Sequence, residues 1–276
     1  EGVSAYPQEV TAQMVLNLVN GGAGINVFAR QIGAIQKFVD VGVAVEVEAP
    51  GVTSRRIRSG SGNMLKEAAM SPEEARQSLA VGIELAQQII DEGAKVLIVG
   101  EVGIGNTTAS SAILSALTGA DPDEIVGRGT GLDDAGWQRK KAVVREALAL
   151  HRPDADQPLD VLAKVGGLEI GAMAGAVIGA ASRRVPVLLD GFIATVAALL
   201  AVRLEPGVAD YLIAGHRSQE PGHAFALNVL GKQPLLDLNL RLGEGSGAAV
   251  AFSIVEASAR MVREMATFAS AGVSDR

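Results

Sequence analysis

The chain of 276 residues contains no cysteine, which excludes disulfides, thiol catalysis and thiolate metal ligation and fits a cytoplasmic setting. Aromatic residues make up only 3%, so any core must be aliphatic and close-packed. Positive charge is not in excess: the formal net charge is −7, and no nucleic acid is expected as partner, because phosphate backbones reward basic surfaces. Nor is there a membrane-length apolar run. The stretch 166–204 is interrupted by Glu169, Arg183, Arg184, Pro186 and Asp190, so it falls short of the roughly 20 apolar residues a span needs. Histidine is scarce as well. His216 and His223 frame RSQEPG with Glu220, a spacing that suits no familiar zinc motif and favours structural hydrogen bonding. His151, at a predicted helix end, reads as a surface or C-capping residue. No metal or cofactor is expected, and no nucleophile elbow points to Ser-His-Asp chemistry.

What is present is 48% hydrophobic residues and 33 glycines, enough for one large α/β domain over 1–276. Helices are predicted at 8–20 and 24–33, with a strand near 37–43. Residues 50–70 read as a long loop, and loops of that length are functional or mobile. Ser71, Pro72 and Glu74 form a capping-box start for a helix that Gly93 ends. Strands are predicted at 96–99, 185–189 and 210–214, each preceded by a helix. Strands separated by helices imply parallel pairing with right-handed crossovers, so the expected fold is α/β, a parallel sheet flanked by helices in a Rossmann-like manner.

Three glycine-rich turns that enter helices carry the functional signal. In VLIVGEVGIGNTT (96–108), a buried strand meets a turn holding Glu101, Gly103, Gly105 and Asn106, and Thr107 opens a small-residue helix. Such a turn aims unpaired backbone N–H groups and a helix dipole at an anion, so a phosphate beside a carboxylate is expected. No lysine of a P-loop follows, and Thr108 stands where a dinucleotide fingerprint needs a third glycine. VGRGTGLDDAGWQRK (126–140) repeats the recipe with Gly127, Gly129, Thr130 and Gly131, and Lys140 lies about two turns along the next helix. LDLNLRLGEGSGAAVAF (236–252) places Glu244 between glycines before an alanine-rich helix. Together these turns predict one cleft on a single sheet edge. For each taken singly, a tight turn without ligand and a solvated glutamate remain open.

With GVSAYPQEVTAQMV (2–15), VPVLLDGF (185–192) and AGHRSQEPGH (214–223), these segments resemble the nicotinate-nucleotide–dimethylbenzimidazole phosphoribosyltransferase family, in the same order and through nearly the whole chain. The resemblance implies a glycosyl transfer from nicotinate mononucleotide to a benzimidazole-type base. It implies Glu244 as catalytic base and Glu101 as a second catalytic carboxylate. It further implies a nucleotide pocket from Gly103, Gly105, Asn106, Thr107, Gly129, Thr130 and Gly131, with Lys140 near the phosphate and Asp190 and Ser218 at pocket positions. Two alternatives stay open at this point: Lys140 on an exposed helix face, and Asp190 capping the helix that follows it. The family also implies a homodimer and a further N-terminal region. On that basis the smaller helical lobe is expected to be only partly present, with helix 246–268 contributing to it, and turnover is expected to be slow. A catalytically idle, nucleotide-binding relative of the same fold is the alternative function.

Overall fold

The computed structural model describes residues 1–274. Two helices, α1 (Val10–Val19) and α2 (Gly24–Ile32), lead into strands β1 (Phe38–Asp40) and β2 (Val52–Ser54). The long helix α3 (Pro72–Asp91) precedes β3 (Leu97–Ile98) and α4 (Asn106–Thr118). Four helices follow: α5 (Pro122–Ile125), α6 (Asp134–His151), α7 (Pro158–Val165) and α8 (Leu168–Ser182). Then come β4 (Val187–Leu189), α9 (Phe192–Leu204), a 3₁₀ turn (Pro206–Tyr211), β5 (Leu212–Ala214) and β6 (His216–Ser218). The order closes with α10 (Pro221–Val229), β7 (Leu236–Leu240) and α11 (Ser246–Glu264).

Every strand pairing is parallel, as expected, but the strands form three small sheets and not one. β4 lies between β3 and β5 in a three-stranded sheet, while β1 pairs with β2 and β6 with β7. Segment 50–70 therefore is not all loop, since Val52–Ser54 runs beside Phe38–Asp40. β6 and β7 add two strands to those predicted: His216–Ser218 carries no apolar run, and β7, LDLNL, is mostly exposed. The capping box at Ser71 forms as predicted, with the Glu74 N–H donating to Ser71 Oγ and the Ser71 N–H to Glu74 Oε2.

The shortage of aromatics is met by helices that approach closely. A Cβ at Gly175 of α8 would overlap the carbonyl oxygen of Leu79 on α3, and one at Gly82 would overlap that of Ala172. Alanine and glycine thus replace large side chains, and the buried core is dominated by Ala, Val, Leu and Ile with Phe192 as its one fully aromatic member. Among the described residues no helix is long and apolar enough to cross a membrane.

Candidate active site

A cavity of about 590 Å³ opens at the carboxyl end of β3, where ligands sit in open parallel sheets. Its volume lies within the range of about 300–1,000 Å³ typical of small-molecule sites. Glu101, Gly103, Gly105 and Asn106 line it from the β3–α4 turn, Glu169 from the start of α8 and Glu244 from the turn before α11. Leu18 and Ile25 of the first two helices, with Leu168 and Met173 of α8, supply apolar wall.

Gly105 takes φ 93° as the N-cap of α4 and turns the chain so that Asn106 and Thr107 face different ways. Asn106 Nδ2 donates to Glu101 Oε2 at 2.6 Å. Glu101 is half-buried on the cavity wall. Desolvation, opposed by the Asn106 hydrogen bond and reinforced by the charges of Glu169, Asp190 and Glu244, pushes its carboxyl up to about 8. Burial raises the Glu169 carboxyl as well.

Glu244 is one of four non-glycine residues with positive φ among the described residues, at 65°, between Gly243 (81°) and Gly245 (89°). A left-handed non-glycine residue costs on the order of 1–3 kcal/mol and persists where surrounding structure enforces it, commonly at functional sites. The Ile25 N–H, in the first turn of α2, donates to Glu244 Oε2 at 3.1 Å. Among the described residues Oε1 accepts no hydrogen bond and is left for the cavity.

Behind the first turn of α4 lies a second cluster. Lys140 is 0% exposed, and its Nζ donates to Thr107 Oγ1 at 2.6 Å. The expected alternative of an exposed lysine on a helix face is therefore overturned. Burial lowers the Lys140 ammonium to about 8, against the opposing influence of Glu220. Gly129 closes over this pair: a Cβ there would lie 2.8 Å from Thr107 Oγ1 and 2.9 Å from Lys140 Nζ. Thr130 is exposed; its Oγ1 accepts the Ala5 N–H at 3.2 Å and pairs with Ser4 Oγ at 3.1 Å. The loop carrying residues 127–131 follows the short helix α5 and not a strand, so the three glycine turns do not share one sheet edge. Glu101 and Asp190 do, at the ends of the paired strands β3 and β4.

Of the expected pocket residues, Gly103, Gly105 and Asn106 line the cavity, whereas Thr107, Gly129, Thr130, Gly131, Lys140, Asp190 and Ser218 do not. Asp190 does cap a helix, but α11 and not the helix that follows it, accepting backbone N–H groups of Gly245, Gly247 and Ala248. The Ser218 N–H donates to His223 Nδ1 at 2.8 Å, and His223 Nε2 pairs with Thr195 Oγ1 at 3.0 Å. The structural hydrogen bonding expected for His216 and His223 holds for His223 but not for His216, whose two ring nitrogens are buried with no hydrogen-bond partner among the described residues. His151 is neither a free surface residue nor a C-cap; its Nε2 pairs with the Met64 carbonyl at 2.7 Å and ties the end of α6 to the 60–66 segment.

The phosphoribosyltransferase family model matches residues 1–273. The nicotinate-nucleotide–dimethylbenzimidazole phosphoribosyltransferase of Chloroflexus aurantiacus is 56% identical over 277 residues, covering 100% of this chain and 79% of that protein. The protein of the same name from Halalkalibacterium halodurans is 54% identical, covering 99% and 77%. The crystal structure of CobT from Thermus thermophilus superposes with a TM-score of 0.96 at 49% identity, covering 100% of this chain and 82% of that one. The chain belongs to the nicotinate-nucleotide–dimethylbenzimidazole phosphoribosyltransferase family. It is therefore an enzyme of the pentosyltransferase class, with the α/β fold its sequence predicts.

Two carboxylates that the motifs do not single out stand out in the structure, Glu169 on the cavity wall and Glu220 near Lys140. Glu169 carried a usable signal, a carboxylate directly after Gly166–Gly167–Leu168 at the head of an otherwise apolar small-residue helix. Glu220 has its Oε2 buried without a hydrogen-bond partner among the described residues, and its place between His216 and His223 in the sequence suggests only a metal ligand.

Proposed function

We propose that the enzyme transfers the phosphoribosyl group of nicotinate mononucleotide to 5,6-dimethylbenzimidazole, giving α-ribazole 5′-phosphate and nicotinate, with Glu244 as general base. The observation that carries this reading is the strained Glu244, whose unpartnered Oε1 faces a cavity walled by the α4 N-terminus and apolar side chains. One benzimidazole nitrogen attacks the ribose C1′. As that bond forms, the bond from C1′ to the pyridinium nitrogen breaks, and its electron pair leaves with nicotinate as a neutral ring nitrogen. No acid is needed for departure. The proton lost from the other benzimidazole nitrogen passes to Glu244, the task of a general base. Attack from the face opposite the leaving ring inverts C1′.

Glu101 serves as the second carboxylate. Burial raises its carboxyl to about 8, and a cationic donor ring beside it favours ionisation opposite the charge that develops at C1′. Gly103, Gly105 and Asn106 receive the nucleotide at the helix N-terminus. Lys140 adds its charge through Thr107, and the loop 129–131 with Thr130 completes that end. Asp190 and Ser218 take part from behind the cavity wall. The outer half of α11 exposes Ile254, Met261 and Val262, which supports a homodimer formed through this helix. The absence of cysteine is in keeping with a cytoplasmic enzyme.

The test is nicotinate release from nicotinate mononucleotide, followed by chromatography with and without dimethylbenzimidazole. Release that requires the base, matched by α-ribazole 5′-phosphate, is expected. Donor binding without release under either condition would instead mark a catalytically idle relative.

A further inference from the structure

Asp190 ends β4 with 3% of its surface exposed, and both carboxylate oxygens are committed to backbone. Oδ2 accepts the Gly245 N–H at 3.2 Å, and Oδ1 accepts those of Gly247 at 2.7 Å and Ala248 at 3.1 Å. These N–H groups follow Glu244 directly and open α11, a helix of 19 residues whose N-terminus attracts an anion. His216 flanks the same carboxylate, with Nε2 3.4 Å from Asp190 Oδ1. Its ring packs so closely on Gly247 that a Cβ there would overlap the imidazole. From the opposite side, a Cβ at Gly100 would overlap the backbone carbonyl of Glu244. The Glu244 turn is thus gripped from beneath by Asp190, from the flank by His216 and from the front by the β3 turn.

We propose that Asp190, backed by His216, is the positioning residue that holds Glu244 in its left-handed conformation with the carboxylate directed into the cavity. It acts through the backbone of residues 245–248 and touches no substrate. The inference rests on Glu244 being the base. It adds a cause for the Glu244 geometry that lies in a different strand, 54 positions earlier in the chain.

Asp190→Asn removes the charge and sets an amide NH₂ against backbone donors. A misplacement of about 1 Å at a reacting group typically lowers rate on the order of 100-fold. The expected result is therefore a kcat about 100-fold lower, with the dissociation constant for nicotinate mononucleotide changed less than threefold. On a Glu244→Gln background the same change should lower kcat less than threefold further, because residues that act as a unit are not additive. An undiminished loss on that background, or an unchanged kcat in Asp190→Asn alone, overturns the proposal. Hydrogen exchange separates the grip from the chemistry: amides of residues 245, 247 and 248 should exchange at least tenfold faster in Asp190→Asn, whatever Glu244 does. Unchanged exchange overturns the grip itself, whereas fast exchange with near-normal turnover in Glu244→Gln overturns only the base assignment on which the inference rests. Should Asp190→Asn fail to fold, Gly247→Ala carries the test, since its Cβ displaces the same turn. The same loss confined to kcat is expected there, and an unaltered kcat overturns the proposal.

Discussion

Lys140 and Thr107, 33 positions apart, meet at 2.6 Å through the lysine ammonium and the threonine hydroxyl. The neighbour of Thr107, Asn106, points the other way and meets Glu101 at the same distance, 2.6 Å. Adjacent residues on the first turn of α4 therefore tie a buried cation to one side and a half-buried carboxylate to the other. A ribose phosphate has the complementary polarity, an anion at one end and a carbon that becomes cationic at the other. In the proposed reaction this turn sets the distance between the two ends.

Removing the cation should weaken donor binding. Lys140→Met is expected to raise the dissociation constant for nicotinate mononucleotide at least tenfold at pH 7. Burial lowers the parent ammonium to about 8, so its charge is present at pH 7 and lost above pH 8, and donor affinity should fall as pH rises from 7 to 9. Glu101 titrates in the same range with the opposite effect on a cationic ring, so the comparison belongs in a Glu101→Gln background. Trp137, the only tryptophan, provides the readout. It donates to the Val126 carbonyl at 2.7 Å and lies under the Arg128 guanidinium at the edge of the glycine loop. A fluorescence titration in which Lys140→Met keeps the parent pH dependence would contradict this role.

Glu101 should cost stability where it ionises. Its carboxyl is raised from 4.5 to about 8 in the folded chain, so between these pH values the folded state holds a proton that the unfolded chain has released. Stability is then lost progressively as pH rises through this window. Glu101→Gln is expected to melt close to the parent at pH 4.5 and above it at pH 8. Each pKa unit is worth about 1.4 kcal/mol, so the gain is at most a few kcal/mol. Identical melting curves at pH 8 would show that the carboxyl is not desolvated. Activity should fall in the same variant, the pattern expected where function costs stability.

The glycines of the two nucleotide loops should differ in sensitivity. Gly129 is crowded by Thr107 and Lys140, whereas a Cβ at Gly105 meets nothing within 4 Å and strains only a backbone with φ 93°. Gly129→Ala is therefore expected to weaken the mononucleotide more than Gly105→Ala, while both leave free dimethylbenzimidazole binding nearly unchanged. Calorimetry that gives equal donor affinities for the parent and both variants would place the phosphate elsewhere.

Glu244→Gln should lower turnover by about 10²–10⁴-fold, the usual contribution of a general base. Donor affinity should hold, because the amide preserves the acceptor oxygen that receives the Ile25 N–H. Near-normal turnover would remove Glu244 from the base role.

Much of this arrangement was legible in the sequence because glycine, a following helix and a carboxylate mark a turn locally. The strand-to-turn-to-helix path through Glu101 and Asn106 needs only residues 96–118 to be read. What stayed hidden depends on residues far apart in the chain. Asp190 looks like a cap for the helix beside it, yet its partners lie at 245–248. Lys140 looks like one lysine among others on a polar helix, and only the approach of α4 buries it. β6 is only three residues long, and His216–Ser218 carries no apolar run, so its pairing is set by its neighbours. β7, LDLNL, does alternate apolar and polar residues and was legible as a strand. The resemblance of six motifs supplied the reaction, which composition and spacing alone left open among phosphate-binding α/β proteins.

The most direct test of the two-ended site is a crystal structure of the Glu244→Gln enzyme with nicotinate mononucleotide and dimethylbenzimidazole bound together. The donor phosphate should lie at the N-terminus of α4 on the Thr107 side, with the benzimidazole N–H within about 3 Å of the residue 244 side chain, the reach of a general base. A complex in which that N–H faces Glu101 or Glu169, with residue 244 turned away from the acceptor, would contradict the account.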